Sequence, residues 1–358
     1  MSPAAKIRLL NEEKEMKKTV SLILSLVFAL SLFTPALAAV APGYGNYKHV
    51  FIIGIDGAGS IFDKVATPNF DRIFKENAFT HTAKTEYVTV SAQNWGSILC
   101  GVDYQTHGFN NDNTGKNERG SDSDNNSIFY YVRKAMPDAK LASFCNWNNI
   151  NKGIIENDID VKKVHRATDP LVTDAVVRYF EQGNAPALMF VQLDSVDHAG
   201  HAYGGFAEGY YKSVEKADEY LGMMYDAIDA QGLMKDSLFI LVADHGHTDD
   251  AHAGGVATNS HGGQTVEEST VVLAVAGHSV NTVQLSEDTR NRDVAAIALW
   301  ALGIEQPEHF TASVPDELFG VSMEKDVAPN PMNGMEKIWH DFLYFFVRMV
   351  NILVGLFD

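Results

Sequence analysis

Cationic side chains are scarce in this chain. Its 28 Lys and Arg stand against 46 Asp and Glu, a formal net charge of −18 over 358 residues. A nucleic-acid-binding face needs clustered Lys and Arg to meet phosphates, so the balance argues against one. It does not exclude a small anionic substrate, because bound metal cations reverse the local field. Cysteine is scarcer still. Cys100 and Cys145 allow one disulfide at most, and both lie in apolar contexts that suit a buried free thiol equally well. No internal repeat is evident.

Apolar residues are plentiful, at 46% of the chain, which is ample for a sizeable core. With the two ends set aside, about 280 residues remain, enough for one large α/β domain or two modest ones. The N-terminal end reads as an export signal. Met16-Lys17-Lys18 is a basic start, Thr19 to Phe33 an apolar stretch, and Ala36-Leu37-Ala38 a small-residue cleavage site. A transmembrane anchor fits less well, since the apolar stretch is short and ends at Pro35. Residues 1–38 are therefore expected to be a signal peptide with an upstream extension of the start. The protein is expected to be exported, and the short Lys-Lys start looks bacterial.

At the other end, 326–334 reads as a linker and 335–358 as an amphipathic helix with a wide apolar face. Arg348 and Asn351 interrupt that face, so it makes a poor transmembrane span. An in-plane membrane anchor and a helix docked on the catalytic domain or on a second subunit are both open readings. Its polar face is not strongly basic, which weakens the membrane reading on anionic lipid.

Between the ends, short β-branched runs alternate with longer helical segments, the pattern of a mostly parallel sheet covered by helices. Strands are expected at His49 to Ile55, Lys140 to Cys145, Ala187 to Leu193, Ser237 to Ala243 and Thr270 to Ala276. Helices are expected at Pro68 to Asn77 with Thr67 as N-cap, and at Asn126 to Met136, Pro170 to Gln182, Glu208 to Ala230 and Asp293 to Leu302. Asn110 to Asn126, rich in Asn, Asp, Gly and Ser, reads as a surface loop. Open α/β sheets place their sites beyond the carboxyl ends of their strands. Asp56 and Asp244 each end an expected strand, and Asp197 lies just past another.

Those aspartates belong to separated motifs: Gly54-Ile55-Asp56-Gly57, Ser91-Ala92-Gln93-Asn94, Asp197-His198-Ala199-Gly200-His201, Asp244-His245-Gly246 and Ser260-His261-Gly262-Gly263. Carboxylates and imidazoles are ligands that Zn²⁺ takes at neutral pH, and six of them suffice for two ions. Taken singly, each fragment has a bland reading: Asp56 as a turn cap, Ser91 as an ordinary N-cap. Asp244-His245 is stronger by itself, because two ionisable side chains after a buried strand are costly without partners.

Together the motifs resemble the alkaline phosphatase superfamily, most closely its type I phosphodiesterase/nucleotide pyrophosphatase branch, from about His49 to Gly303. The resemblance implies a three-layer α/β/α sandwich with a mostly parallel central sheet, here a catalytic domain over 45–325. It implies two divalent metal ions, with zinc the ion this ligand set suits. One would lie on Asp56, Asp244, His245 and the nucleophile Ser91, the other on Asp197, His201 and His261. The Asn94 amide would donate a hydrogen bond to the phosphoryl group. Asp194 and His198 share the four-residue spacing of Asp197 and His201, but the Gly200 to Gly204 context matches the family in the second register, which leaves Asp194 and His198 to orient ligands. His252 reads as a loop residue near the site mouth.

The Thr-Phe-Pro-Asn of nucleotide pyrophosphatases is Ser91-Ala92-Gln93-Asn94 here, so the Phe that would stack a base is missing. Ser91 also lacks the Pro and Arg that follow a sulfatase nucleophile. Trp95, Trp147 or Tyr104 could line a leaving-group pocket or simply belong to the core. Lys162, Lys163 and Arg166 could grip the extra charge of a monoester or form a solvated run. Monoester or diester, hydrolase, phospho-group transferase or a binding module without turnover all stay open. The expected partner is a small phosphoester.

Overall fold

The computed structural model describes residues 41–249 and 261–320. The expected leader, linker and C-terminal helix lie outside these residues, as do His252 and Ser260. Among the described residues no helix is long and apolar enough to cross a membrane.

The central strands form where runs of Val, Ile, Leu and Phe are buried on both faces, the pattern of a covered parallel sheet, and the outer strands are shorter or more polar. They are β1 (His49–Ile55), β2 (Ala78–Lys84), β3 (Leu141–Cys145), β4 (Lys162–His165), β5 (Leu188–Leu193), β6 (Ser237–Ala243), β7 (Thr270–Ala276) and β8 (Val283–Gln284). They make one sheet in the order β4-β3-β5-β1-β6-β7-β2-β8. β7 runs antiparallel to both neighbours, and every other pairing is parallel. The fold is thus the alkaline-phosphatase-like α/β architecture with a mostly parallel sheet.

Helices cover both faces. Phe51 meets Phe180 of the Asp169–Glu181 helix edge-on, and the Pro68–Phe74 and Glu208–Asp229 helices pack on that side too. Gly54, an odd number of residues from Phe51, faces the other way and receives Trp95 of the Ser91–Cys100 helix. The Asp293–Ala301 helix packs beside that helix. Thr67 precedes the Pro68–Phe74 helix as expected, but its hydroxyl donates to Phe62 O at 3.1 Å. The open first-turn N–H groups go instead to Asp218 of the long helix, from Asn69 at 3.0 Å and Phe70 at 2.7 Å.

Register decides where the chemistry emerges. Ile55 pairs with Leu193 on one side and Ala243 on the other. Three adjacent strands therefore end level, and Asp56, Asp194 and Asp244 leave the sheet side by side at its carboxyl edge. Cys100 and Cys145 are buried free thiols.

Candidate functional site

The strand ends bring Asp56, Asp244 and His245 together, all nearly or fully buried. Asp56 Oδ2 accepts from Trp95 Nε1 at 2.8 Å and from Gln192 Nε2 at 3.0 Å. Asp244 Oδ1 accepts from the N–H of Gly57 at 3.0 Å and of His245 at 2.9 Å. Each carboxylate is thus gripped by one oxygen. The other oxygens, Asp56 Oδ1 and Asp244 Oδ2, are buried with no hydrogen-bond partner.

Both orphan oxygens face His245 Nε2, at 3.5 and 3.4 Å. A carbonyl only accepts, so the contact of His245 Nδ1 with Gly246 O at 3.1 Å fixes the proton on Nδ1. That leaves the Nε2 lone pair for Ser91 Oγ, 3.2 Å away at the first residue of its helix. Burial holds His245 well below the usual imidazole range, so the ring is neutral.

Asp197, on the Ser195–Tyr203 helix just past β5, builds the adjoining half. Its Oδ1 lies 3.4 Å from His261 Nε2, and its Oδ2 lies 3.5 Å from His201 Nε2. The two imidazole Nε2 atoms are 3.2 Å apart. His261 Nδ1 donates to Thr89 O at 2.6 Å, which again aims a lone pair inward. His245 Nε2 is 3.9 Å from Asp197 Oδ1 and joins the halves.

The residues fit metal ions. Donors held at about 2.0 Å around one tetrahedral ion stand about 3.3 Å apart, and the spacings in both halves run from 3.2 to 3.5 Å. Two buried carboxylate oxygens without partners beside a neutral imidazole are costly unless a cation joins them. Without one, burial and then mutual repulsion push the Asp56 carboxyl well above its ordinary range, and burial does the same to Asp244. Burial lowers His261 to about 4, keeping it a neutral donor. Asp197 runs the other way. Burial alone would raise it, but the hydrogen bond from His247 holds it below the carboxylate range.

His247, which sequence reasoning passed over, is buried with Nε2 2.9 Å from Asp197 Oδ1. It follows His245 by two residues, and that spacing was its only signal. Gln192 was also missed: its amide donates to Asp56 and, at 2.9 Å, to Asp194. Asp194 therefore steadies Asp56 through Gln192, and burial raises its carboxyl to about 6.

Asn94 does not point its amide at Ser91. Its Nδ2 donates to Val88 O and Val90 O, at 3.0 and 3.1 Å, while Oδ1 accepts from Glu86 N and Asn291 Nδ2. Both amide hydrogens go to the loop before Ser91. Asn111 comes to the helix start instead. Its Oδ1 accepts from Ala92 N at 3.0 Å, and its Nδ2 makes no hydrogen bond among the described residues. Trp95 is a core residue that steadies Asp56. Lys163 is spent on Asn151 O, Ile155 O and Asn157, which removes it as a grip on substrate.

A sheet-edge cluster of this kind, on this fold, places the chain in the alkaline phosphatase superfamily. Within it the chain belongs to the type I phosphodiesterase / nucleotide pyrophosphatase family, whose model matches residues 50–318. Among solved structures, human ectonucleotide pyrophosphatase / phosphodiesterase 5 superposes with a TM-score of 0.61 at 12% identity, covering 74% of this chain and 97% of that one. The lipoteichoic acid synthase LtaP from Listeria monocytogenes gives 0.55 at 13% identity, covering 77% and 78%. Likenesses this distant concern the fold alone. A 2,3-bisphosphoglycerate-independent phosphoglycerate mutase of Staphylococcus aureus (strain N315) is 31% identical over 140 residues, 39% of this chain. That segment spans 25% of the mutase's length.

Proposed function

We propose that the protein is an exported, metal-dependent phosphodiester hydrolase working through a phosphoseryl intermediate on Ser91. The observation that carries this is the setting of Ser91 Oγ, 3.2 Å from the unprotonated nitrogen of His245. The two orphaned carboxylate oxygens surround the same nitrogen. The leader pattern at the N-terminus supports export.

Asp56, Asp244, His245 and Ser91 would hold one divalent ion, and Asp197, His201 and His261 a second, zinc suiting both sets. Ions held there supply Lewis acidity to the attacking and leaving oxygens and neutralise phosphoryl charge. Ser91 Oγ attacks phosphorus as its O–H proton leaves, and the ester oxygen departs with a proton as the alcohol. Water then cleaves the Ser91–phosphoryl bond, releasing a phosphomonoester and restoring the hydroxyl. The Asn111 carboxamide, tethered at Ala92 N–H, offers Nδ2 to a phosphoryl oxygen. Trp95 and Gln192 keep Asp56 from turning while charge builds.

The test is zinc content together with hydrolysis of bis-p-nitrophenyl phosphate and p-nitrophenyl phosphate, comparing wild type with Ser91→Ala. About two zinc ions per chain and diester turnover that vanishes in Ser91→Ala support the proposal. Preference for the monoester would make the protein a phosphatase. Absence of both metal and turnover would leave a binding role. Transfer to an acceptor alcohol instead of water is a second reading. It is favoured by the fold likeness to a lipoteichoic acid synthase, and glycerol added to the assay would divert product from hydrolysis.

A further inference from the structure

We infer that His247 is the positioning residue of the second metal half, holding Asp197 in place through an Nε2–H···Oδ1 hydrogen bond. This rests on the metal-dependent reading above and assigns a role to an imidazole that the family resemblance leaves unexplained.

The ring sits in a slot made to its shape. A Cβ on Gly200 would lie 2.4 Å from the His247 ring. One on Gly57 would lie 2.9 Å from its Nε2 and 2.7 Å from Asp197 Cα. Tyr210 closes the slot, 5.6 Å from the His247 ring between centroids, and its hydroxyl donates to Gly57 O at 2.5 Å. Only residues without a side chain allow the ring to reach the carboxylate.

Three observations make His247 a donor to Asp197 and not a further ligand. Its 2.9 Å contact is hydrogen-bond length and shorter than the 3.2 to 3.5 Å between the other converging donors. Its Nδ1 is buried without a partner. A proton there would strand a buried N–H and set the Nε2 lone pair against an anionic oxygen, so the proton belongs on Nε2. Finally, Asp197, His201 and His261 already supply three protein ligands, and a fourth would close the position a catalytic ion keeps open. With Oδ1 pinned, Asp197 presents Oδ2 toward His201.

The experiment is competition between the zinc-loaded protein and a chromogenic zinc chelator, for wild type, His247→Leu, His247→Gln and Gly200→Ala. The inference expects two ions in wild type. In His247→Leu one ion should be released 10- to 100-fold more readily, the usual penalty for losing such a partner, with the other unchanged. His247→Gln keeps an N–H donor and should stay within about threefold of wild type, since the donor and not the metal bond is what matters. Gly200→Ala, which displaces the ring and removes no donor, should follow His247→Leu and decides the matter if that variant misfolds. Unchanged affinities in both His247→Leu and Gly200→Ala overturn the inference. So does a His247→Gln protein that loses the ion as fully as Asp197→Ala does, the mark of a direct ligand. A wild type that binds no zinc fails the metal reading itself, a distinct result.

Discussion

The two halves of the site are built differently. Asp56, Asp244 and His245 emerge directly from β1 and β6, are closed off from solvent, and have each gripping oxygen or nitrogen tied to the sheet or its helix. Asp197, His201 and His261 come from a helix after a strand and from a loop. The His201 side chain keeps 45% of its surface exposed. The contrast matches the division of labour in the proposed reaction. In that reaction Ser91 would be preorganised in the dry half, and alcohol and water would pass on the side where His201 is exposed.

The largest expected effect that probes this contrast comes from Asp244→Asn. It should lower kcat/KM by on the order of 10³-fold and cost one bound metal ion. His201→Asn, on the open side, should cost about tenfold to a hundredfold. Steady-state kinetics with metal analysis on both variants checks the order, and equal losses would erase the distinction between the halves.

A second pair separates chemistry from scaffolding around Ser91. Asn111→Ala should lower kcat about tenfold to a hundredfold and leave the unfolding temperature unchanged. Asn94→Ala strips three hydrogen bonds from the buried loop before Ser91 and one from Asn291. It should cost about 2–4 kcal/mol of stability in urea unfolding. If Asn94→Ala left stability untouched and struck only kcat, the original expectation for Asn94 would return.

These two asparagines show how far the sequence could be read. β1, β6 and β7 fall where a run of buried β-branched residues demands them, and β3 and β5 differ by a residue at one end. β2, β4 and β8 were not visible. β2 carries the polar run Thr80-His81-Thr82 in its middle, β8 is two residues long, and β4 is the polar edge sequence Lys162-Lys163-Val164-His165, which looks like a solvated basic run. The antiparallel sense of β7 is set by partners distant in sequence, so no local pattern encodes it.

At the site, strand-end position and motif spacing pointed to Asp56, Ser91, Asp197, His201, Asp244, His245 and His261, and the fold draws all seven together. Motif position says nothing of where the Asn94 amide turns, and here it turns back on its own loop. His247, Gln192 and Asn111 act through tertiary contacts between segments 19 to 136 residues apart, which spacing along one chain does not show.

The smallest effect is a pH trend. Burial raises Asp56 and Asp244 above the ordinary carboxyl value of 3.8. The folded metal-free protein therefore keeps protons that the unfolded chain gives up above about pH 4. Burial lowers His245 and His261, so below about pH 6.5 they pull stability the other way. Above it these imidazoles are neutral in both states, and the carboxyls that keep their protons in the native state should make metal-free stability fall as pH rises. Bound metal holds the carboxylates ionised and should remove the trend. Thermal unfolding between about pH 6.5 and 8, with and without chelator, reads both slopes. A metal-free protein as stable at the alkaline end as at the acid end would contradict the buried carboxylate cluster.

The most direct test of the central claim is acid-quenched turnover of bis-p-nitrophenyl phosphate followed by peptide mass spectrometry. The account predicts a phosphoryl group on Ser91, formed with a burst of about one p-nitrophenolate per chain. Steady turnover with Ser91 never modified would contradict it, and would make water, not the serine, the attacking group.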